Sequence, residues 1–362
     1  MRIGIVGTRG IPSKYGGFET FAEELSIRLV PKGINCTVYC DKDSYNKNNF
    51  KGVNLSYINT TKTRSPLKYY FKSLKEALKT NNIILITGCS GALFFWLKYF
   101  YNKKAIIITN IDGIEHKRAK WPFLIRKFIR FGEWVAINFS TYVISDSKGI
   151  KKYINTNYPK ITNKKIKIIE YGAYPCISNK KELIKEFNVL PNNYYLIVAR
   201  LEPENNIHVI LKGYYQSKTK IPLVVVGNLL NNNYVQNLLK YKSDNIKFVN
   251  GIYNKDKLLA LRSYCKAYFH GHSVGGTNPS LLEAMGASNF IIAHDNSFNR
   301  DVTNNNSLYF KNANDCTIKI NEFEKIKLDE KNKIKDFNLR RIKTYYNWDL
   351  ISNKYIDFFN NI

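Results

Sequence analysis

The sequence predicts an α/β chain of two doubly wound, Rossmann-like domains facing across a cleft, and three observations carry that reading. Short β-branched runs alternate with helical patterns at residues 3–7, 37–40, 83–87, 105–109, 141–145 and 166–171, which implies parallel strands joined by crossover helices. The rhythm breaks at Tyr171-Gly-Ala-Tyr-Pro175. A second series follows at residues 195–199, 223–227, 246–249, 267–270 and 290–293. Two such sheets joined at a hinge near residues 172–180 would open a ligand cleft at the carboxyl ends of their strands. The expected domains are residues 1–175 and 176–335, with residues 336–362 continuing a terminal helix that begins near residue 333.

Composition narrows the function. With 362 residues, 44% of them apolar, the chain can bury two ordinary cores. Cys36, Cys40, Cys89, Cys176, Cys265 and Cys316 are scattered without zinc-ligand spacing, so reduced thiols and no metal site are expected. Residues 1–7 read as a strand entering a turn and lack the features of a signal peptide, so a cytoplasmic protein is expected. Charge is the anomaly: 56 Lys and Arg against 28 Asp and Glu leave +28, which favours a polyanionic partner. No nucleic-acid-binding motif accompanies it, and the lysines are spread over many segments, so nucleic acid is not the expected partner. An anionic membrane leaflet fits better, because basic and aromatic residues cluster at 93–104 and 121–134. In the second cluster Phe123, Leu124, Phe128, Phe131 and Trp134 recur near helical spacing beside Arg126, Lys127 and Arg130, as in an interfacial amphipathic helix. Neither segment reaches the roughly 20 apolar residues a crossing needs.

The densest chemical signal lies at residues 267–286. The strand ending at His270 enters a turn containing Gly271, Gly275 and Gly276, and a helix opens at Pro279. Such a turn presents backbone N–H groups and a positive helix end to a phosphate, while Glu283, one turn inside, can accept two hydrogen bonds from a sugar diol. This is the pattern of a nucleotide-sugar pocket, with His272, Gly276, Thr277, Asn278, Ser280 and Glu283 as donor-binding residues. The plainer alternative is a helix capped by Asn278 with Glu283 on a solvated face. His270 and His272 lack a third ligand at metal-site spacing, so no metal is expected there.

Residues 270–285 resemble the signature of family 4 glycosyltransferases, two glutamates separated by seven residues. Glu283 matches the second, and Gly275 stands where the first would fall. The Arg-Leu-x-x-Glu-Lys run of that family is matched by Arg200 to Glu204, with Asn205 in place of the lysine. Together with the glycine-rich run at residues 7–20, these departures resemble the bacterial subgroup containing the β-1,4-rhamnosyltransferases of capsule and cell-wall polysaccharide assembly. The resemblance implies a GT-B fold whose terminal helix crosses back to the first domain. It further implies a metal-independent hexosyltransferase that retains anomeric configuration, with no cofactor beyond the nucleotide sugar as co-substrate. The implied donor is dTDP-rhamnose, with a UDP-hexose or UDP-N-acetylhexosamine as the alternative. The implied acceptor is a polyprenyl-diphosphate-linked saccharide, met at the inner face of the plasma membrane.

Transfer at an anomeric carbon needs a stabilised leaving diphosphate and an oriented acceptor hydroxyl. Arg200 and the amides opening the Pro279 helix suit the first task, with Asn205 on the same side. Asp112, Glu115 and His116 follow a strand and suit the second, Asp112 being the first choice for positioning or deprotonating the hydroxyl. Asp146 is a weaker candidate and could instead cap the following helix. Gly16 and Gly17 are expected to contact the donor diphosphate or the acceptor. The run Gly7, Gly10, Gly16 and Gly17 also keeps open a dinucleotide-dependent oxidoreductase, although it is longer than the usual fingerprint.

Overall fold

The computed structural model describes residues 1–14, 16–45, 47–118, 121–161 and 165–362; Tyr15 of the first glycine run lies outside them. The chain divides into two compact units: Met1–Lys117, Trp121–Tyr171 and Trp348–Ile362 form unit 1, and Gly172–Asn347 with Arg118 falls in unit 2.

Unit 1 is built on strands β1 (Arg2–Val6), β2 (Asn35–Asp41), β3 (Asn49–Phe50), β4 (Val53–Ile58), β5 (Ile83–Thr87), β6 (Ile106–Ile111), β7 (Tyr142–Ser145) and β8 (Ile166–Ile168). They form one sheet in the order β3-β4-β2-β1-β5-β6-β7-β8, parallel except for the antiparallel β3–β4 pair. The β1, β5 and β6 runs are nearly continuous Ile, Leu and Val because both faces of a parallel sheet are buried. Strand β4 was not expected: Asn54 and Ser56 interrupt its apolar residues, and only pairing to β2 reveals it.

Helices α1 (Gly17–Leu29), α2 (Pro66–Thr80), α3 (Lys98–Tyr101), α4 (Phe123–Phe139) and α5 (Lys148–Asn157) cover the sheet. The cap of α5 is Ser147, whose side chain accepts from the Ile150 amide, so the expected capping role of Asp146 is corrected.

Unit 2 repeats the plan with β9 (Tyr195–Val198), β10 (Leu223–Val226), β11 (Ile246–Val249), β12 (Ala267–His270), β13 (Ile291–His294) and β14 (Leu308–Phe310). The order is β11-β10-β9-β12-β13-β14, all parallel. Three-residue β14 gave no sequence signal. Its helices are α6 (Ile207–Ser217), α7 (Asn233–Leu239), α8 (Lys255–Ser263), α9 (Pro279–Gly286), α10 (Ser297–Thr303), α11 (Ala313–Lys325) and α12 (Leu328–Arg341). The asparagine-rich composition has a local use here. Asn232, Asn254, Asn278, Asn296 and Asn312 each accept a backbone N–H at the start of α7, α8, α9, α10 and α11 in turn.

The single terminal helix expected from residue 333 is corrected. After α12 the chain makes a π-helical turn, Ile342–Tyr346, and restarts as α13 (Trp348–Asn360) in unit 1. There Tyr355 packs against Phe21 at 5.4 Å and accepts from the Asn110 amide at 2.9 Å, and Trp348 meets the Tyr171 ring at 4.8 Å. Burying Trp348, Ile351, Tyr355, Phe358 and Phe359 fixes α13 in the unit 1 core.

Strand order reverses at β1 in unit 1 and at β9 in unit 2, so each unit has its own switch point, where open α/β sheets bind ligands.

Candidate functional site

In unit 2 the turns after β9 and β12 lie side by side at the switch point. A Cβ on Gly271 would stand 2.1 Å from the Asn205 carbonyl oxygen, so only glycine lets the two backbones approach this closely. Asn206 Nδ2 donates to the Gly271 carbonyl at 2.9 Å, and the Ser273 amide and hydroxyl both donate to the Glu204 carbonyl. Asn205 is buried, with its side-chain amide given to the Arg200 carbonyl at 2.7 Å. It therefore shapes the turn carrying Arg200, which is itself exposed.

Arg200 stands among charges. Its Nε and the Nη1 of Arg118 each lie 3.8 Å from the Glu202 carboxylate, too long for tight pairing. The His270 and His272 rings stack at 4.4 Å and 8°. Burial, then the neighbouring His294, pushes His270 down to about 3. Burial first, then His270, Arg200 and Arg118, holds His272 well below the ordinary range. Both imidazoles are thus neutral at neutral pH. Their turn is held by Asn296 and Asn299, whose amides both donate to the His272 carbonyl at 3.0 Å.

At the start of α9, Asn278 Oδ1 accepts from the Ser280 amide at 3.0 Å and pairs with the Ser280 hydroxyl at 3.1 Å. Pro279 occupies the first helical position. Thr277 and Gly276 are buried. Gly275 has φ +148°, and among the described residues no atom beyond its chain neighbours lies within 4 Å of where its Cβ would be. The backbone there disfavours any side chain although space is available, so absence of the first family glutamate matches the local conformation. Glu283 is exposed and pairs through Oε2 with Nη2 of buried Arg262 at 2.5 Å. That pairing was not foreseen, because Arg262 lies on α8, remote in sequence.

In unit 1 the turn after β1 is lined differently. Glu19 Oε1 accepts from the Arg9 amide at 2.9 Å, and Glu23 Oε2 accepts from the Ser13 amide at 2.6 Å. A Cβ on Gly16 would lie 2.6 Å from Glu19 Oε2. Carboxylates carried by α1 therefore occupy amides that a bound diphosphate would need, and one stands beside Gly16 itself.

The turn after β6 carries two acids and an imidazole. Asp112 is exposed, and Glu115 to Lys117 make a 3₁₀ turn. Glu115 Oε1 accepts from the Trp121 indole at 2.9 Å. His116 Nδ1 is 3.1 Å from Oε2 of Glu133, a buried residue of α4 absent from the sequence reading. Burial first, then Glu133, Asp112 and Glu115, pushes the Cys89 thiol well up, which places all three carboxyls in one neighbourhood. Among the described residues no group of three His, Cys, Asp or Glu side chains has metal-binding geometry, and no helix is long and apolar enough to cross a membrane.

On the outer side of α4, Phe123, Leu124, Ile125, Phe128, Phe131 and Trp134 are exposed, with Phe123 at 68% and Leu124 at 75%. Trp96, Tyr99 and Phe100, also in unit 1, are exposed too.

Comparison with known proteins bears on these features. Residues 179–338 match the family "Glycosyl transferases group 1", and residues 1–174 match "Domain of unknown function (DUF1972)". No curated protein matches the chain in sequence. Among solved structures, sucrose-phosphate synthase from Thermosynechococcus elongatus superposes with TM-score 0.82 at 14% identity, covering 99% of this chain and 98% of that one. A glycosyltransferase from Rickettsia africae gives 0.77 at 15%, covering 99% and 97%. Anabaena HepE in complex with UDP-glucose gives 0.78 at 13%, covering 100% of both. At these identities the likeness shows the fold, two parallel-sheet α/β domains of the GT-B type.

Proposed function

We propose that this chain, whose residues 179–338 match the glycosyl transferases group 1 family, is a sugar-transferring enzyme in which unit 2 holds a nucleotide-sugar donor and unit 1 the acceptor. The observation that carries this is the unit 2 switch point. Exposed Arg200, the open space over Gly275 and the start of α9 offer cationic and dipolar stabilisation to a departing diphosphate, with a carboxylate at Glu283 for a diol. His272, Gly276, Thr277, Asn278 and Ser280 shape that turn, and Asn205 holds the Arg200 backbone. Asp112, Glu115 and His116 belong to the acceptor side, and the carboxylate beside Gly16 and Gly17 suits saccharide hydroxyls better than phosphate.

The finer reading is transfer of L-rhamnose from dTDP-rhamnose, with retention and without a metal, onto a polyprenyl-diphosphate-linked saccharide in bacterial surface polysaccharide synthesis. It rests on the motif resemblance at residues 7–20, 200–205 and 270–285. A UDP-hexose is the second reading, supported by the UDP-glucose bound to HepE. A panel of sugar nucleotides tested for thermal stabilisation separates them, since a ligand at one hundred times its Kd adds about 2.7 kcal/mol. Stabilisation and turnover with dTDP-rhamnose alone are expected; the same response to a UDP-sugar instead would replace the donor.

The exposed aromatics of α4 beside Arg126, Lys127 and Arg130 support docking on the anionic cytoplasmic leaflet, where such an acceptor resides. Replacing those three basic residues by Gln should release much of the protein from phosphatidylglycerol vesicles while sparing turnover on a water-soluble acceptor. Equal sedimentation of both proteins would refute the docking.

A further inference from the structure

Glu202 lies 3.8 Å from the guanidinia of Arg118 and Arg200, whereas Glu283 meets Arg262 at 2.5 Å. The closer pair is lopsided in burial: the Arg262 side chain is 7% exposed and that of Glu283 44%. A buried guanidinium is costly unless its N–H groups are occupied. Nη2 has Glu283, but Nε is buried with no hydrogen-bond partner among the described residues. The fold thus keeps an incompletely paired cation inside, and its ionic partner is the half-exposed acid assigned to the donor.

Arg262 lies on α8 and Glu283 on α9, with β12 between them in the chain. Tyr268 of β12 links them. Burial above all raises its phenol, which stays an O–H donor and gives its hydrogen to the Val198 carbonyl of β9 at 3.0 Å. Arg262, Glu283 and the Ser280 hydroxyl all act on that phenol. The ion pair therefore backs the start of α9, where Ser280 pairs with Asn278 at 3.1 Å.

Glu283 Oε2 is taken by Arg262, while Oε1 has no hydrogen-bond partner among the described residues. A carboxylate held at one oxygen can accept a hydroxyl at the other with little further ordering. Its charge matters too. An unpaired carboxylate one turn inside α9 would repel a diphosphate at the helix start, and a cation 2.5 Å away offsets it.

We propose that Arg262 is a positioning residue for donor binding: it holds Glu283 through Oε2, offsets its charge, and leaves Oε1 to a ring hydroxyl of the nucleotide sugar. This role rests on the sugar-transfer reading above and involves unit 2 alone. The hydroxyl belongs to the nucleoside's sugar or to the transferred sugar, which offer a carboxylate the same chemistry.

Titration calorimetry of wild type, Arg262→Met, Glu283→Gln and the double variant with dTDP-rhamnose, dTDP, UDP-glucose and UDP tests this role. Arg262→Met should weaken binding of the sugar nucleotide that wild type takes by about tenfold, the scale of one hydrogen bond to a charged group. The double variant should bind as weakly as Glu283→Gln and no more weakly, because the two residues act as a unit. Thermal stability of Arg262→Met should stay at or above that of wild type, since the half-exposed Glu283 keeps its water and the incompletely paired cation is gone. A merely structural guanidinium would show the reverse, lost stability with affinity in place. In Glu283→Gln, equal weakening of the sugar nucleotide and its nucleoside diphosphate places Oε1 on the nucleoside's sugar; weakening of the sugar nucleotide alone places it on the transferred sugar. Wild-type affinity in Arg262→Met, or losses that multiply in the double variant, would overturn the positioning. If Arg262→Met does not fold, a crystal structure of wild type with its sugar nucleotide decides. The Arg262–Glu283 pair should persist with Oε1 on a ring hydroxyl, and a broken pair or an Oε1 that meets no hydroxyl overturns the role. Wild type that binds none of the four ligands refutes the donor reading itself, whereas wild-type binding matched by Arg262→Met removes the positioning alone.

Discussion

Two glycine turns stand at the two switch points, and they share a backbone plan while differing in the charge that lines them. After β12, Gly271 and Gly275 lead into a helix capped by the neutral Asn278, with Arg200 and Arg118 near His272. After β1, Gly7, Gly10 and Gly16 lead into α1, whose own Glu19 and Glu23 accept the turn's amides. A strand, a glycine turn and a helix therefore do not make an anion site by themselves. Availability of the amides and the sign of the nearest side chains decide it. The same difference weighs against a dinucleotide at the first turn, whose pyrophosphate would meet carboxylates.

The comparison breaks most directly at Arg200. Arg200→Ala should cut turnover about 10²- to 10³-fold, as loss of a donor aimed at developing charge does, and Arg200→Lys should recover only part because the planar fork is gone. Equal kcat in Arg200→Ala and wild type would remove the leaving-group role from the unit 2 turn. Next in size is Glu19→Ala, which leaves the Arg9 amide without its carboxylate and should cost about 1–3 kcal/mol in chemical denaturation with donor KM unchanged. A rise in donor KM instead would place the donor at the first turn and reverse the comparison.

Glu283→Gln should raise donor KM and also cost about 1 kcal/mol of stability, since buried Arg262 loses its ionic partner. Adding Arg262→Met should restore stability without restoring donor KM; recovery of both would make Glu283 a partner of Arg262 only.

A pH-dependent effect concerns the stacked histidines. His270 titrates at about 3 in the fold against 6.5 ordinarily, so as pH falls the unfolded chain takes the proton first. Stability from this group is level above pH 6.5 and declines from there toward pH 3, by about 1.4 kcal/mol per pH unit. His270→Phe should flatten that slope in denaturation series run between pH 6.5 and 5; an unchanged slope would mean that His270 is protonated within the fold.

Much was legible in the chain itself. Continuous Ile and Val runs marked the buried parallel strands, because a strand covered on both faces needs apolar residues throughout. Glycine, Asn278 and Pro279 marked the start of α9, because each answers a local backbone demand. The inward strand β4 and the restart of α13 were not legible: polar residues dilute the first, and the second depends on a core made by distant strands. Likewise the sequence brought Asp112, Glu115, His116, Arg200 and Glu283 forward, each beside a strand end or glycine turn. Only tertiary structure brought Arg262 to Glu283, brought Glu133 to His116, and set Glu19 against the first turn. Local propensity is written in neighbouring residues, whereas the charge and hydrogen-bond partners of a side chain are supplied by segments far along the chain, and those meet only when the sheet is assembled.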